Sequence, residues 1–184
     1  MRNQLLLLAA GATLFAASCK KSDNIVCDAK PAANTEATSK KAGVPFTGSM
    51  VYAFGTEANL PCECGSFFPI GTLAGTGNLS HLGNATSMIK PCVAPLIQNG
   101  QQIGDHVGVE CGSFVAANGD ELFCHTYPYN LMYTATAAVG TITCDFVGGT
   151  GKFKNATGSF TGTITVPYGQ GIANFTNING LINY

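Results

Sequence analysis

The chain contains no tryptophan, a single arginine (Arg2) and three histidines, and only 10% of its 184 residues are charged. That scarcity excludes a nucleic-acid partner, because affinity for a polyanion is carried by clustered Lys and Arg. With 46% apolar residues the sequence is not a disordered acidic or basic chain either. No apolar run reaches the ~20 residues of a membrane-spanning helix. There is no Gly-x-Ser-x-Gly, His-Glu-x-x-His or phosphate-binding loop, so the commonest signatures of hydrolase, zinc-protease and nucleotide chemistry are missing, and no cofactor is implied. Present instead are 23 glycines and eight cysteines, with Thr and Asn set between short apolar runs. This is the composition of a turn-rich, all-β protein of an oxidising compartment.

The N-terminus reads as an export signal. Arg2 supplies a basic start, and Asn3 to Ser18 is an uncharged stretch of sixteen residues centred on Leu5-Leu6-Leu7-Leu8. It closes with Ala16-Ala17-Ser18-Cys19, small residues directly before a cysteine. This ending resembles the lipobox of bacterial lipoproteins, although Ala16 stands where that family usually has Leu. The resemblance implies cleavage before Cys19, a diacylglycerol on its sulfur and a further acyl chain on its amine. One acyl chain holds a protein only marginally, whereas two or more hold it firmly. The expected partner is therefore a membrane reached through N-terminal acyl chains, in the cell envelope and at the outer membrane, on its periplasmic or surface face. An ordinary secretory signal and a retained helix are the competing readings.

Residues 1–18 are thus assigned to the signal, 19–43 to the lipidated N-terminus and a linker, and 44–184 to one domain. The linker holds Lys20, Lys21, Lys30, Lys40 and Lys41 with Asp23, Asp28 and Glu36, but few bulky apolar side chains. Such a segment cannot offset its ordering entropy and reaches on the order of 25–30 Å. Beyond it, three lysines face seven carboxylates, a net −4.

From Val44 onward, period-two alternation bounded by Gly, Asn and Pro predicts strands. In Phe46–Phe54, Phe46, Met50, Tyr52 and Phe54 alternate with Thr47, Ser49 and Ala53. Further strands are expected over Phe67–Leu73, Thr86–Val93, Val107–Val115, Glu121–Tyr127, Tyr133–Gly140 running into Thr141–Val147, Ser159–Val166, and a terminal strand with Ile178, Gly180, Ile182 and Tyr184 on one face. Asn118-Gly119 is a hairpin signal. The expectation is about eight antiparallel strands and no long helix.

Two stretches echo each other: Gly75-Thr76-Gly77-Asn78-Leu79 before Gly83-Asn84-Ala85-Thr86, and Gly149-Thr150-Gly151-Lys152-Phe153 before Asn155-Ala156-Thr157-Gly158. In each, the lone Leu or Phe can plug an apolar barrel end. Together with Ser80-His81-Leu82-Gly83 and Ala117-Asn118-Gly119-Asp120-Glu121-Leu122, they resemble the bacterial relatives of the allene oxide cyclase and dirigent barrels over residues 44–184. The resemblance implies an eight-stranded antiparallel barrel with an interior cavity. It implies no catalytic residue here, since dirigent chemistry is associated with cavity Asp and Arg and this domain has no Arg.

If Cys19 is acylated, Cys62, Cys64, Cys92, Cys111, Cys124 and Cys144 are disulfide candidates, with Cys27 on the linker left over. Six cysteines allow fifteen pairings. Cys62 and Cys64 are too close in an extended segment to bond each other, and Cys111 and Cys124 flank the Asn118-Gly119 turn as a candidate cross-link. A metal site from Cys62, Cys64 and Cys124-His125 lacks zinc-ligand spacing, so no metal is expected.

Of the titratable groups, His81 is expected to hydrogen-bond a neighbouring turn. Glu110 and His125 across the 111–124 hairpin could form an acid/base dyad or an ordinary cross-strand pair. The function expected is an envelope lipoprotein of unassigned activity, a binder of a small apolar ligand or a surface module. A cyclase-like or isomerase-like barrel enzyme acting on a small apolar substrate is the alternative.

Overall fold

The computed structural model describes residues 43–55, 68–69, 71–108 and 110–184. Cys19, the signal, the linker up to residue 42, Cys62 and Cys64 lie outside the described residues. Those described form β1 (Val44–Phe54), β2 (Phe68–Pro69), β3 (Leu73–Leu79), β4 (Gly83–Ile89), β5 (Cys92–Gln98), β6 (Gln101–Val107), β7 (Glu110–Ala116), β8 (Glu121–Thr126), β9 (Tyr129–Tyr133), β10 (Ala137–Gly149), β11 (Thr157–Pro167) and β12 (Ile172–Asn183), with one 3₁₀ turn at Gly151–Phe153.

These segments make eight long staves. Strand β4 continues into β5 past Lys90-Pro91, β6 into β7 past Gly108, and β8 into β9 past Pro128, and each composite stave pairs with its neighbour along both halves. Proline has no N–H to give a ladder, which is why two of these staves bend at Pro91 and Pro128. The meander β1, β3, β4–β5, β6–β7, β8–β9, β10, β11, β12 closes when β12 pairs with β1, Val44 opposite Ile182. The protein is therefore a closed, antiparallel, eight-stranded up-and-down β-barrel. Closure removes the unpaired sheet edges that would otherwise template aggregation. Where β5, β6 and β9 extend beyond the closed part, Pro95 sits in β5 outside the short β2 pairing, a position that tolerates a missing donor.

Inward positions carry the core. Phe46, Phe146 and Phe160 meet at centroid separations of 4.8, 5.4 and 5.2 Å, and Phe114 and Phe175 each lie 6.0 Å from Phe160. Rings of this size fit a narrow barrel only where facing positions are small. A methyl group at Gly75 would overlap the Tyr52 ring, and one at Gly162 would overlap that of Phe175. The barrel has two unlike ends. At the entry end, where the chain comes in at Gly43, lie the 80–82, 117–120 and 150–156 turns; at the far rim lie the 99–100, 134–136 and 168–171 turns. The 3₁₀ turn drops Phe153 into the entry end, fully buried beside Leu79, Leu122 and Ile182.

Three sequence expectations need correction. Of the strand expected over Phe67–Leu73, the described residues give β2 at Phe68–Pro69, and a long stave starts at Leu73, because Gly75 and Gly77 lie within a strand and not in a turn. The strand expected over Thr86–Val93 is cut at Lys90-Pro91. Asp105-His106, outside every strand expected from the sequence, lies inside β6, which the Asn99-Gly100 hairpin sets up with both residues at positive φ (52° and 78°).

Candidate functional site

A barrel of eight strands is just wide enough for side chains to fill, so whether it binds anything is decided by what remains between them. Here that void is about 30 Å³, bordered by Tyr52, Ser87, Phe114, Cys124, Thr126 and Cys144 among others. A water molecule takes ~30 Å³ of liquid, whereas ligand pockets run ~300–1,000 Å³. The polar atoms around it are internally matched: Thr126 Oγ1 lies 3.3 Å from Cys144 Sγ, the Cys124 thiol donates to the Gly112 carbonyl at 3.5 Å, and the Tyr52 hydroxyl donates to Met50 Sδ at 3.7 Å. An open depression of about 500 Å³ on the outer face of β3 and β4 is lined by Thr76, Asn84 and Thr86 with Gly77, Ala85 and Ala117. It offers hydroxyl and amide groups but none that exchanges a proton near neutral pH.

The cysteines divide into two sets. Cys92 and Cys111 are disulfide-bonded. Cys124 and Cys144, counted among the bridge candidates, are instead buried thiols outside any disulfide. The register explains this: Cys111 is opposite His125 while Cys124 is opposite Gly112, so the two cysteines of that hairpin are one position out of step and on opposite faces. For the same reason Cys124 and His125 cannot share a metal ion, one lying inside the barrel and the other outside. Among the described residues no three His, Cys, Asp or Glu side chains converge as metal ligands.

The histidines are placed as follows. His81, in the β3–β4 turn at φ 68°, has both ring nitrogens engaged: Nε2 lies 2.9 Å from the Pro45 carbonyl and Nδ1 3.0 Å from the Tyr184 hydroxyl. Lys152 Nζ donates to the His81 carbonyl at 2.7 Å, and the Tyr184 ring packs at 5.2 Å on Phe153. His81 thus clasps the first strand, the last residue and the plug turn. His106 Nδ1 lies 2.7 Å from Asn130 Oδ1 across β6 and β9.

Glu110 stands opposite Thr126, and His125 is flanked by Cys111 on one side and Asp145 on the other. Asp145, which sequence reasoning did not single out, accepts a 2.5 Å hydrogen bond from the exposed Tyr127 hydroxyl. That bond, reinforced by the carboxylate's charge, raises the Tyr127 pKa above its ordinary 10.0. His125 packs edge-on against Tyr127 at 5.4 Å. The Asp145 link became visible only with the β8–β10 register, since 19 residues separate it from His125 with no motif between. The row is solvent-facing, and its carboxylate is taken up by a phenol and not by the histidine.

No known protein family, curated protein or solved structure matches the chain.

Proposed function

We propose that the protein is an exported lipoprotein, anchored at the outer membrane through acyl chains on Cys19, whose barrel serves as an envelope surface module. The observation that carries the module reading is the filled interior. An inner void of about 30 Å³, bordered by Tyr52, Phe114 and Cys124 among others, is close to the size of one water, which favours a barrel that works through its surface over one that encloses an apolar ligand or a reacting intermediate. Its outer face supports attachment over spanning. Thr47, Thr141, Thr143, Thr157, Ser159 and Thr161 point outward and Phe46, Phe114, Phe146, Phe160 and Phe175 inward, with Phe123 an exposed exception, whereas a transmembrane barrel carries an apolar outer band. The lipobox-like Ala16-Ala17-Ser18-Cys19 supplies the anchor in this reading, and the chain enters the barrel at the plugged end, which leaves the far rim free of the attachment point.

The resemblance to the allene oxide cyclase and dirigent barrels is kept as a proposal about ancestry. It is supported by the eight-stranded closure and by the 3₁₀ plug in the Gly149–Asn155 motif. Native mass spectrometry of the full chain purified in mild detergent tests the module reading. The expected spectrum shows protein carrying its acyl groups and no second small molecule, while a stoichiometric apolar compound lost on unfolding would overturn the filled-interior argument and restore the ligand or enzyme reading.

A further inference from the structure

The far rim brings two exposed tyrosine rings, a carboxylate and an amide together. Tyr133, at the end of β9, donates its hydroxyl to Asp105 Oδ2 on β6 at 3.0 Å. Gln102 Nε2, also on β6, lies 3.0 Å from Asp105 Oδ1 and 3.0 Å from the Tyr133 oxygen, closing a triangle of amide, carboxylate and phenol. Beside it stands Tyr168 in the β11–β12 turn, its ring edge-on to Tyr133 with centroids 6.3 Å apart and planes at 85°. The Tyr168 backbone N–H donates to the Thr136 carbonyl at 3.1 Å, which ties that turn to the β9–β10 turn. The two rings are 41% and 48% exposed.

Each part of the cluster narrows the ligand. The rings present flat C–H-binding surface in water at low entropic cost, because a tyrosine has few rotamers to lose and Tyr133 is already fixed by two hydrogen bonds. Each Asp105 oxygen receives one bond and keeps lone pairs for a further donor. An anion would meet the carboxylate of a domain with net charge −4, and Lys152 is held at the opposite end on His81. An apolar ligand would leave the carboxylate and amide unmatched. A ring bearing hydroxyl donors at its edge and C–H groups on its face satisfies every part of the cluster.

We propose that the far rim is a binding site for uncharged saccharide, with Tyr168 and Tyr133 covering the C–H face of a sugar ring and Asp105 and Gln102 taking its hydroxyls. The inference builds on the reading of the barrel as a module that works through its surface, yet it does not need the anchor, so the Cys19→Ala chain binds equally. The test is retention of the full chain in detergent on a panel of immobilised neutral and charged glycans. Binding to neutral members is expected, weakened at least tenfold by Tyr168→Ala and by Asp105→Asn and less by Tyr133→Phe, which keeps the ring. Circular dichroism and thermal unfolding of each variant establish that the barrel is intact, and Gln102→Ala provides a second route should Asp105→Asn fail to fold. No retention on any neutral glycan, retention on charged members alone, or neutral-glycan binding that Tyr168→Ala leaves unchanged would overturn the proposal. Failure here with acylation at Cys19 intact refutes the saccharide site and leaves the anchored module standing.

Discussion

Replacing Phe153 with alanine removes the plug from the entry end. The side chain is fully buried, packs 5.2 Å from the Tyr184 ring and sits beneath Lys152 at 5.0 Å. A phenylalanine in such a site buries roughly 150–200 Å², and at ~25 cal/mol per Å² its removal costs about 4 kcal/mol, within the ~3–5 kcal/mol found for Phe→Ala in cores. For a domain of this size each kcal/mol shifts Tm by roughly 2–4 °C or slightly more, so a fall of about 10–15 °C is expected. The assay is thermal unfolding of the full chain followed by circular dichroism, with Lys152→Ala beside it. That lysine is exposed, and its loss should cost ~1 kcal/mol or less. A drop of under ~3 °C for Phe153→Ala, or one no larger than that for Lys152→Ala, would show that the 3₁₀ turn is an ornament on a barrel that stands without it.

Gly75→Ala drives a methyl into the Tyr52 ring, which must leave its place in the core; a loss of ~1–3 kcal/mol is expected in urea unfolding, and a neutral result would mean the ring moves freely. A thiol reagent added to the native protein should leave Cys124 and Cys144 unmodified until denaturant is added, and peptide mapping without reductant should recover Cys92 and Cys111 only in bridged peptides. Rapid labelling of Cys124 in the folded state would contradict its inward placement. Tyr127 ionises above 10.0 because of its hydrogen bond to Asp145, and Tyr133 does so through burial and then its bond to Asp105. Since the neutral phenols are favoured in the folded protein, their contribution is complete below pH 10.0 and is lost as pH rises through the folded values. Ultraviolet titration should show late-ionising tyrosines, one of which moves back toward 10.0 in Asp145→Asn.

The staves with several large inward side chains could be read in the sequence. Phe46, Met50, Tyr52 and Phe54 set the period of β1, and Ile178 and Ile182 that of β12, because a strand with one buried face has one workable register. Strand β3 was hidden because its inward positions include glycines that are small for the sake of a ring on the neighbouring strand, a demand that only tertiary contact reveals. Strand β6 was hidden because Gln101, Gln102, Asp105 and His106 are polar in a strand that runs out past the core, although Asn99-Gly100 carried the same hairpin signal as Asn118-Gly119. Of the candidate site, the His81 turn was legible, but the partners of its ring, Pro45 in β1 and Tyr184, were not. The inward thiols depend on register, and the bonds of Tyr133 to Asp105 and Gln102 join residues 28 and 31 apart, which no local pattern encodes.

The proposed anchor rests on one residue, Cys19. Cells expressing the wild-type chain or Cys19→Ala, grown with a clickable fatty-acid analogue and then fractionated, give the most direct reading. The account predicts label on the wild-type protein in the outer-membrane fraction, and for Cys19→Ala no label and either a slower-migrating precursor or a soluble form cut elsewhere, with the barrel still folded. Unlabelled wild-type protein recovered soluble outside the membrane would contradict the account and leave secretion in its place.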